Sequence, residues 1–174
     1  MAERDTGLDT SRAAGKFPVW KTVTIGGKTK DQLTEEMKQS GILVGPWAVD
    51  MMAKDWFVTQ PTAQVTNLSI VEVRELGFTK EPWTIDVFAR IKELGHSLCA
   101  ADAGPHLRLA FNDQMCGDYF WVAMDLVREG PRSEPRVFFI GRSDDGTRWL
   151  RGYAAKPDFR WVLDSKFVFV TRPD

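Results

Sequence analysis

"HLRLAFNDQMCGDYFWVAMDLV", residues 106–127, decides how this chain is read. Each half alternates apolar with polar or differently sized side chains about the loop "NDQMCGD" (112–118), the period-two pattern of paired strands. In the second half Tyr119, Trp121 and Ala123 share one face, while Phe120, Val122, Met124 and Leu126 share the other. In the first half Arg108 sits with His106 and Ala110, opposite Leu107, Leu109 and Phe111. The same pattern continues downstream. After the turn-rich "REGPRSEP" (128–135) come "RVFFIGR" (136–142), the Asp-Gly turn "SDDGT" (143–147) and "RWLRGY" (148–153). A loop holding Pro157 then leads to "KFVFVTR" (166–172). The expectation is an antiparallel β-meander of about four to five strands.

Upstream the spacing is mostly helical. "FPVWKTVTI" (17–25) reads as a strand that Gly26-Gly27 breaks. Thr29 then caps a helix, with Gln32 completing a capping box and Gly41 ending it. "GPWAVDMMAKDWF" (45–57) is a second helix with Pro46 in its first turn and Trp47–Met51 and Ala48–Met52 pairs forming an apolar stripe. "VTNLSIVEVREL" (65–76) reads as a strand whose alternation slips near Ile70-Val71, from a bulge or burial on both faces. A third helix starts with Thr84 as its cap, carries Val87, Phe88, Ile91 and Leu94 on one side, and stops at Gly95. Helices early and strands late make the fold class α+β: an N-terminal strand and helices packed on the C-terminal meander. Residues 1–16 are polar and expected to be a disordered arm, with 17–174 forming one domain.

Bulk properties narrow the function classes. The chain has 174 residues and a net charge of -1, with 43% hydrophobic and 27% charged residues. That length buries roughly 70% of the unfolded surface in one core. Balanced charge disfavours a duplex nucleic-acid binder, which needs clustered Lys and Arg. The apolar runs are too short to span a bilayer, and the first residues lack a signal-peptide core, so a soluble, cytoplasmic protein is expected. Two cysteines, Cys99 and Cys116, make no disulfide framework.

Several stretches imitate chemical motifs. "ELGHSLCAADAGPHLRLAF" (93–111) gathers His96, Cys99, Asp102 and His106. A helix cap, an extended stretch and a Gly-Pro turn within it keep four ligands from converging on a metal, so it reads as a helix-to-strand seam with Leu98 and Cys99 in the core. "IGGKTK" (25–30) ends like a phosphate-binding loop, but β-branched Val23, Thr24 and Ile25 occupy positions where such a loop needs positive φ. "SDDGT" lacks the further acids of a calcium loop. No catalytic residue, metal or cofactor is assigned.

Seven Trp and eleven Phe against two Tyr are the unusual numbers. With the Phe120 face packed on the helices, the opposite face of the meander carries Trp121, Trp149, Arg151 and Tyr153, with Arg108 from the neighbouring strand. Aromatic rings with guanidinium groups suit a small polar ligand, nucleotide- or sugar-like. In the alternative packing, residues 154–165 with Trp161 cover that face and the sheet is buried on both sides. The expected function is therefore non-enzymatic binding of such a ligand. The alternatives are a hydrolase or transferase using Cys99 or Cys116 with His106, and a protein-interaction module without a pocket.

"GILVGPWAVDMM", "VEVRELGF", "ELGHSLCAADAGPHLRL", "NDQMCGDYFWVAMD" and "KFVFVTR", in that order, resemble an uncharacterised bacterial family. Its members have a Trp-containing second helix, an "ELG..LC....GP.LRL" seam, a "DQ..G" loop and a closing "FVFV" strand. The resemblance covers most of residues 20–172. It implies shared scaffolding, does not make His96 or His106 characteristic, and brings no activity or functional residues with it.

Overall fold

The computed structural model describes residues 4–12, 16–127 and 133–172. Most of the turn-rich stretch 128–135 therefore lies outside the described residues.

The N-terminal elements follow local chemistry closely. Strand β1 (Lys21–Ile25) ends at Gly26 and Gly27, both at positive φ (99° and 79°), where only glycine is unstrained. Helix α1 (Lys30–Gln39) opens on a reciprocal cap: Gln32 N–H donates to the Thr29 hydroxyl (3.1 Å) and Thr29 N–H to the Gln32 side-chain carbonyl (2.8 Å). A two-residue strand β2 (Leu43–Val44) precedes α2 (Pro46–Ala53), and β3 (Gln64–Glu72) follows. The expected strand 65–76 is cut short by a 3₁₀ turn at Val73–Leu76. Leu68, Ser69 and Val71 are all buried because β3 lies inside the sheet and is covered on both faces, which accounts for its broken alternation.

Helix α3 (Thr84–Glu93) corrects the expected cap by one residue. Trp83 is the N-cap, its N–H donating to the Asp86 carboxylate (2.9 Å), and Thr84 is the first helical residue. Residues 4–12, part of the expected disordered arm, lie beside this region. Arg4 forms a fork with Asp86 (2.6 and 2.8 Å) over the Trp83 ring, and Asp9 N–H donates to Gly77 C=O (2.7 Å).

The main departure concerns residues 106–111, expected as the first meander strand. They belong instead to helix α4 (Ala103–Ala110), with Phe111 as its C-cap. Pro105 stands in the first turn, where its missing N–H costs nothing. Leu107 and Phe111 are the apolar i,i+4 pair, and His106 and Arg108, which supplied the polar beats of a strand, are buried.

The remaining strands are β4 (Tyr119–Val122), β5 (Arg136–Arg142), β6 (Arg148–Ala154) and β7 (Lys166–Val170). Among the described residues all the strands join one curled mixed sheet of seven in the order β1-β3-β7-β4-β5-β6-β2. The meander is thus only part of the sheet. β7 returns to lie between β3 and β4, and two pairs are parallel, β4 with β7 and β2 with β6.

Both faces of the sheet are covered. On one, Phe120, Phe138, Ile140 and Leu150 meet α4, Trp20, Phe57 and Phe111. A Cβ on Gly104 of α4 would sit 2.8 Å from the Phe138 ring, so the helix packs there only through glycine. On the other, Trp121, Phe139 and Phe167 meet Trp161 from the 154–165 segment and Phe88 from α3. Among the described residues no helix is long and apolar enough to cross a membrane.

Candidate functional site

The five residues singled out as a ligand surface separate into three environments. Trp121 lies within an aromatic cluster, stacked on Phe139 (ring centroids 4.7 Å, 14°) and edge-on to Trp161 (5.1 Å). Tyr153 fills the gap beside them, 5.3 Å from Phe139 and 5.6 Å from Trp161. Trp161 is held in place because its indole N–H donates to the Thr84 hydroxyl (2.8 Å), while Trp161 N–H donates to Pro82 C=O and Thr84 N–H to Phe159 C=O. The segment is therefore stitched to the start of α3. It leaves Trp121 9% exposed, the arrangement described above as the alternative packing, while Trp149, 5% exposed, lies against Phe139 and beneath Arg151. Among the described residues the buried Trp121 indole N–H has no hydrogen-bond partner, one of the few unsatisfied polar groups of the interior. Trp121 also backs a cavity of about 240 Å³ shared with half-exposed Tyr119 and the Lys166–Asp118 ion pair.

Arg151 is in the second environment. It is exposed on β6, its guanidinium lies 4.1 Å over the Trp149 ring, and among the described residues it has no hydrogen bond or ion pair. Trp149 thus holds a cation whose N–H groups face solvent. Beside it runs a groove of about 260 Å³ lined by Gly45, Pro46, Trp47, Arg151 and Gly152. The groove exists because β2 pairs with only Trp149 and Leu150 of β6 before the chain turns away into α2. At Gly152 a Cβ would meet Trp47 and Met51 within about 3 Å, so glycine lets α2 sit close to the strand. Trp47 is 48% exposed, with Arg136 4.4 Å from its ring and itself paired to Asp50 (3.0 Å). The sequence pattern places Trp47 in the apolar stripe of α2 with Met51. A lone Trp within the first turn of a helix, on the flank of its Met pair, was the available signal.

Arg108 is in the third environment, and its expected place on a neighbouring strand is corrected. It is fully buried on α4, against the opposite face of the sheet, because its side chain satisfies internal carbonyl groups. It donates to Gln114 Oε1 (2.6 Å), Gly141 C=O (2.9 Å) and Phe111 C=O. Burial first, then the fields of Arg148 and Arg142, push its pKa down to about 10, so it stays charged at neutral pH.

The His96–Cys99–Asp102–His106 cluster does not converge. Residues 97–99 are extended, bridging to Val170 and Met124. The Cys99 thiol is buried, pointing to Val168 C=O (3.8 Å), and burial pushes its pKa up to about 12, far from a thiolate nucleophile. His96 Nδ1 accepts from Arg172 N–H (3.1 Å), with the ring packed against Phe17 and Phe169. Both histidines are buried. His106 Nε2 accepts from Gly26 N–H (3.1 Å) and lies 3.8 Å from Asp102 Oδ2, which accepts from Gln60 N–H (3.0 Å). The imidazole thus fastens the Gly-Gly turn to α4. Among the described residues no three His, Cys, Asp or Glu side chains are placed to hold a metal.

His106 gives a pH prediction. Burial lowers its pKa, outweighing the nearby Asp102 charge, with Lys28 lowering and Glu36 raising it further out. A histidine depressed in the folded state binds its proton more readily when unfolded. Its contribution to stability is therefore complete above the unfolded value of about 6.5 and is lost as pH falls below it. Urea midpoints measured between pH 8 and pH 5 are expected to fall below about pH 6.5 in the native chain, by at most about 1.4 kcal/mol per pH unit for one proton. His106→Gln, whose amide oxygen can still accept from Gly26, is expected to remove that component. An unchanged pH dependence in the variant would assign the effect elsewhere.

No protein-family model, curated protein or solved structure matches the chain, in keeping with the resemblance to an uncharacterised family alone.

Proposed function

We propose that this protein is a non-enzymatic binding domain for a small ligand that combines a flat ring with an anionic group, taken up in the groove between Trp47 and Arg151. The supporting observation is the exposed Arg151 guanidinium, positioned by Trp149, without an acidic partner among the described residues and adjacent to a half-exposed indole. A guanidinium fork binds carboxylate or phosphate through paired N–H groups, and an exposed indole stacks a flat ring. The groove is near the lower end of ligand-site volumes, roughly 300 Å³ upward, which favours a ligand of nucleotide-fragment size. Phe139, packed against Trp121 and Tyr153, acts in this reading as the rigid support of Trp149.

The test is titration of nucleoside monophosphates against the corresponding nucleosides, read by Trp fluorescence and calorimetry. Monophosphates are expected to bind, and Arg151→Ala to weaken them at least about tenfold, the worth of a charge-assisted hydrogen bond. Trp47→Ala should weaken nucleoside and nucleotide alike. Unchanged affinity in both variants would remove the groove from consideration.

A further inference from the structure

Arg142 and Arg148 stand directly opposite each other at the end of the β5–β6 ladder, a position where like charges repel. Strand alternation puts both on the face of Ile140 and Leu150, the face that packs on α4. Arg108 reaches the same corner from α4, donating to Gly141 C=O beside Arg142. Among the described residues every hydrogen-bond acceptor of the three is a neutral oxygen. Arg142 donates to Gly146 C=O (2.9 Å) and Gln114 C=O (3.0 Å). Arg148 donates to Ser40 C=O (2.8 Å) and the Asn112 side-chain carbonyl. Arg108 uses Gln114 Oε1, Gly141 C=O and Phe111 C=O, leaving its buried Nε without a partner.

Carbonyl dipoles, among them Ser40 at the end of α1 and Phe111 at the end of α4, hold these cations but do not neutralise them. Among the described residues no carboxylate forms an ion pair with any of the three. Asp118, the acid whose field reaches Arg108, is engaged by Lys166. The mutual repulsion is large enough to help depress the pKa of the buried member. A corner with three guanidinium groups, none of them ion-paired among the described residues, is an incomplete charge arrangement, and a dianion with several oxygens completes it.

We infer that this corner binds a phosphate group, gripped by the partly exposed Arg142 and Arg148 with Arg108 beneath them as fixed positive charge. Arg142 and Arg148 each have N–H groups beyond those that the carbonyls occupy, so binding breaks none of the existing clamps. The site is separate from the Arg151 groove, because alternation along β6 sends Arg148 and Arg151 to opposite faces.

The experiment follows arginine Nε–Hε NMR signals and thermal midpoints while inorganic phosphate or methyl phosphate is titrated at constant ionic strength set with chloride. The expected result is a saturable shift of the Arg142 and Arg148 signals with a rise in midpoint. Arg148→Gln should weaken binding at least about tenfold. Arg148→Lys keeps the charge and guards against a folding defect, and it should retain weaker binding. Arg151→Ala should leave the saturable shift of the Arg142 and Arg148 signals unchanged, which separates this site from the groove proposed above. Saturation by methyl phosphate as well as phosphate identifies a carried phosphate group, and saturation by phosphate alone a free ion. No saturable shift with either, or equal affinity in Arg148→Gln, overturns the inference.

Discussion

Trp161→Ala is expected to cost about 3–5 kcal/mol of folding stability, the range for removing a fully buried large aromatic. Trp161 is 2% exposed and its ring meets Trp121, Tyr153, Phe159 and Phe167 at centroid distances of 4.8–5.6 Å. Those neighbours belong to three different strands and to the covering segment itself, so no single side-chain shift closes the hole. The variant also leaves the Thr84 hydroxyl, buried at the start of α3, without its indole donor. Urea titration gives the loss directly, and for a chain of this length each 1 kcal/mol is about 2–4 °C of thermal midpoint. Trp161→Phe keeps most of the ring and loses the hydrogen bond, so about 1–2 kcal/mol is expected for it. A second readout concerns the face beneath. With the clasp weakened, Trp121 and Tyr153 become reachable, and binding of a hydrophobic dye to the alanine variant below its unfolding transition would report it. A cost under about 1 kcal/mol would mean that residues 154–165 only rest on the sheet, far below the large-to-small range.

That clasp was present in the sequence as a possibility but not as a decision. Strand alternation put Trp121 and Trp149 on the face away from Phe120, and the registers agree. Alternation cannot say what covers a face, because that depends on a segment with no periodicity of its own. Apart from the N-cap of α3, which falls on Trp83 and not Thr84, the helix ends were legible because their chemistry is local: Thr29 with Gln32, Pro46 in a first turn, Gly95 at positive φ after α3. Helix α4 was not legible, for a physical reason. "HLRLAF" shows a strand's alternation only if His106 and Arg108 are taken as solvent-facing, the default for those residue types. Both are buried, one holding Gly26 N–H and the other three carbonyls, and these partners lie far away in sequence or in the following loop. The parallel pairs β4–β7 and β2–β6 were hidden for a similar reason, since each joins segments tens of residues apart. Of the candidate site, Arg151 and Trp149 could be read from the strand pattern. The groove could not, because it depends on β2 pairing with just two residues of β6.

Arg108→Met should be about as damaging as loss of Trp161, costing about 3–5 kcal/mol, although methionine is apolar and of similar length. Replacing a buried charge with a hydrophobe is often harmless when the partner is replaced with it. Here the partners are main-chain carbonyls, Phe111 C=O at the C-cap of α4 and Gly141 C=O in β5, and no side-chain change removes them. The variant strands Phe111 C=O and Gln114 Oε1 in the interior, while Gly141 C=O keeps its place in the β5–β6 ladder opposite Trp149, and each unsatisfied buried polar group costs about 1–3 kcal/mol. Against that stands relief of repulsion, since Arg142 and Arg148 both act on Arg108. The hydrogen-bond loss dominates, because like charges acting through the partly exposed outer pair are screened while a stranded carbonyl is not. Arg108→Lys makes the point sharper. It keeps the charge, yet a single ammonium cannot span acceptors on α4, β5 and the loop at Gln114, so it should recover less than half of the lost stability. The measurement is urea unfolding of both variants in low and high salt. A methionine variant as stable as the native chain at low salt would show that relieved repulsion outweighs the broken clamp, and α4 would then be held to β5 by packing at Gly104 and Phe138 alone.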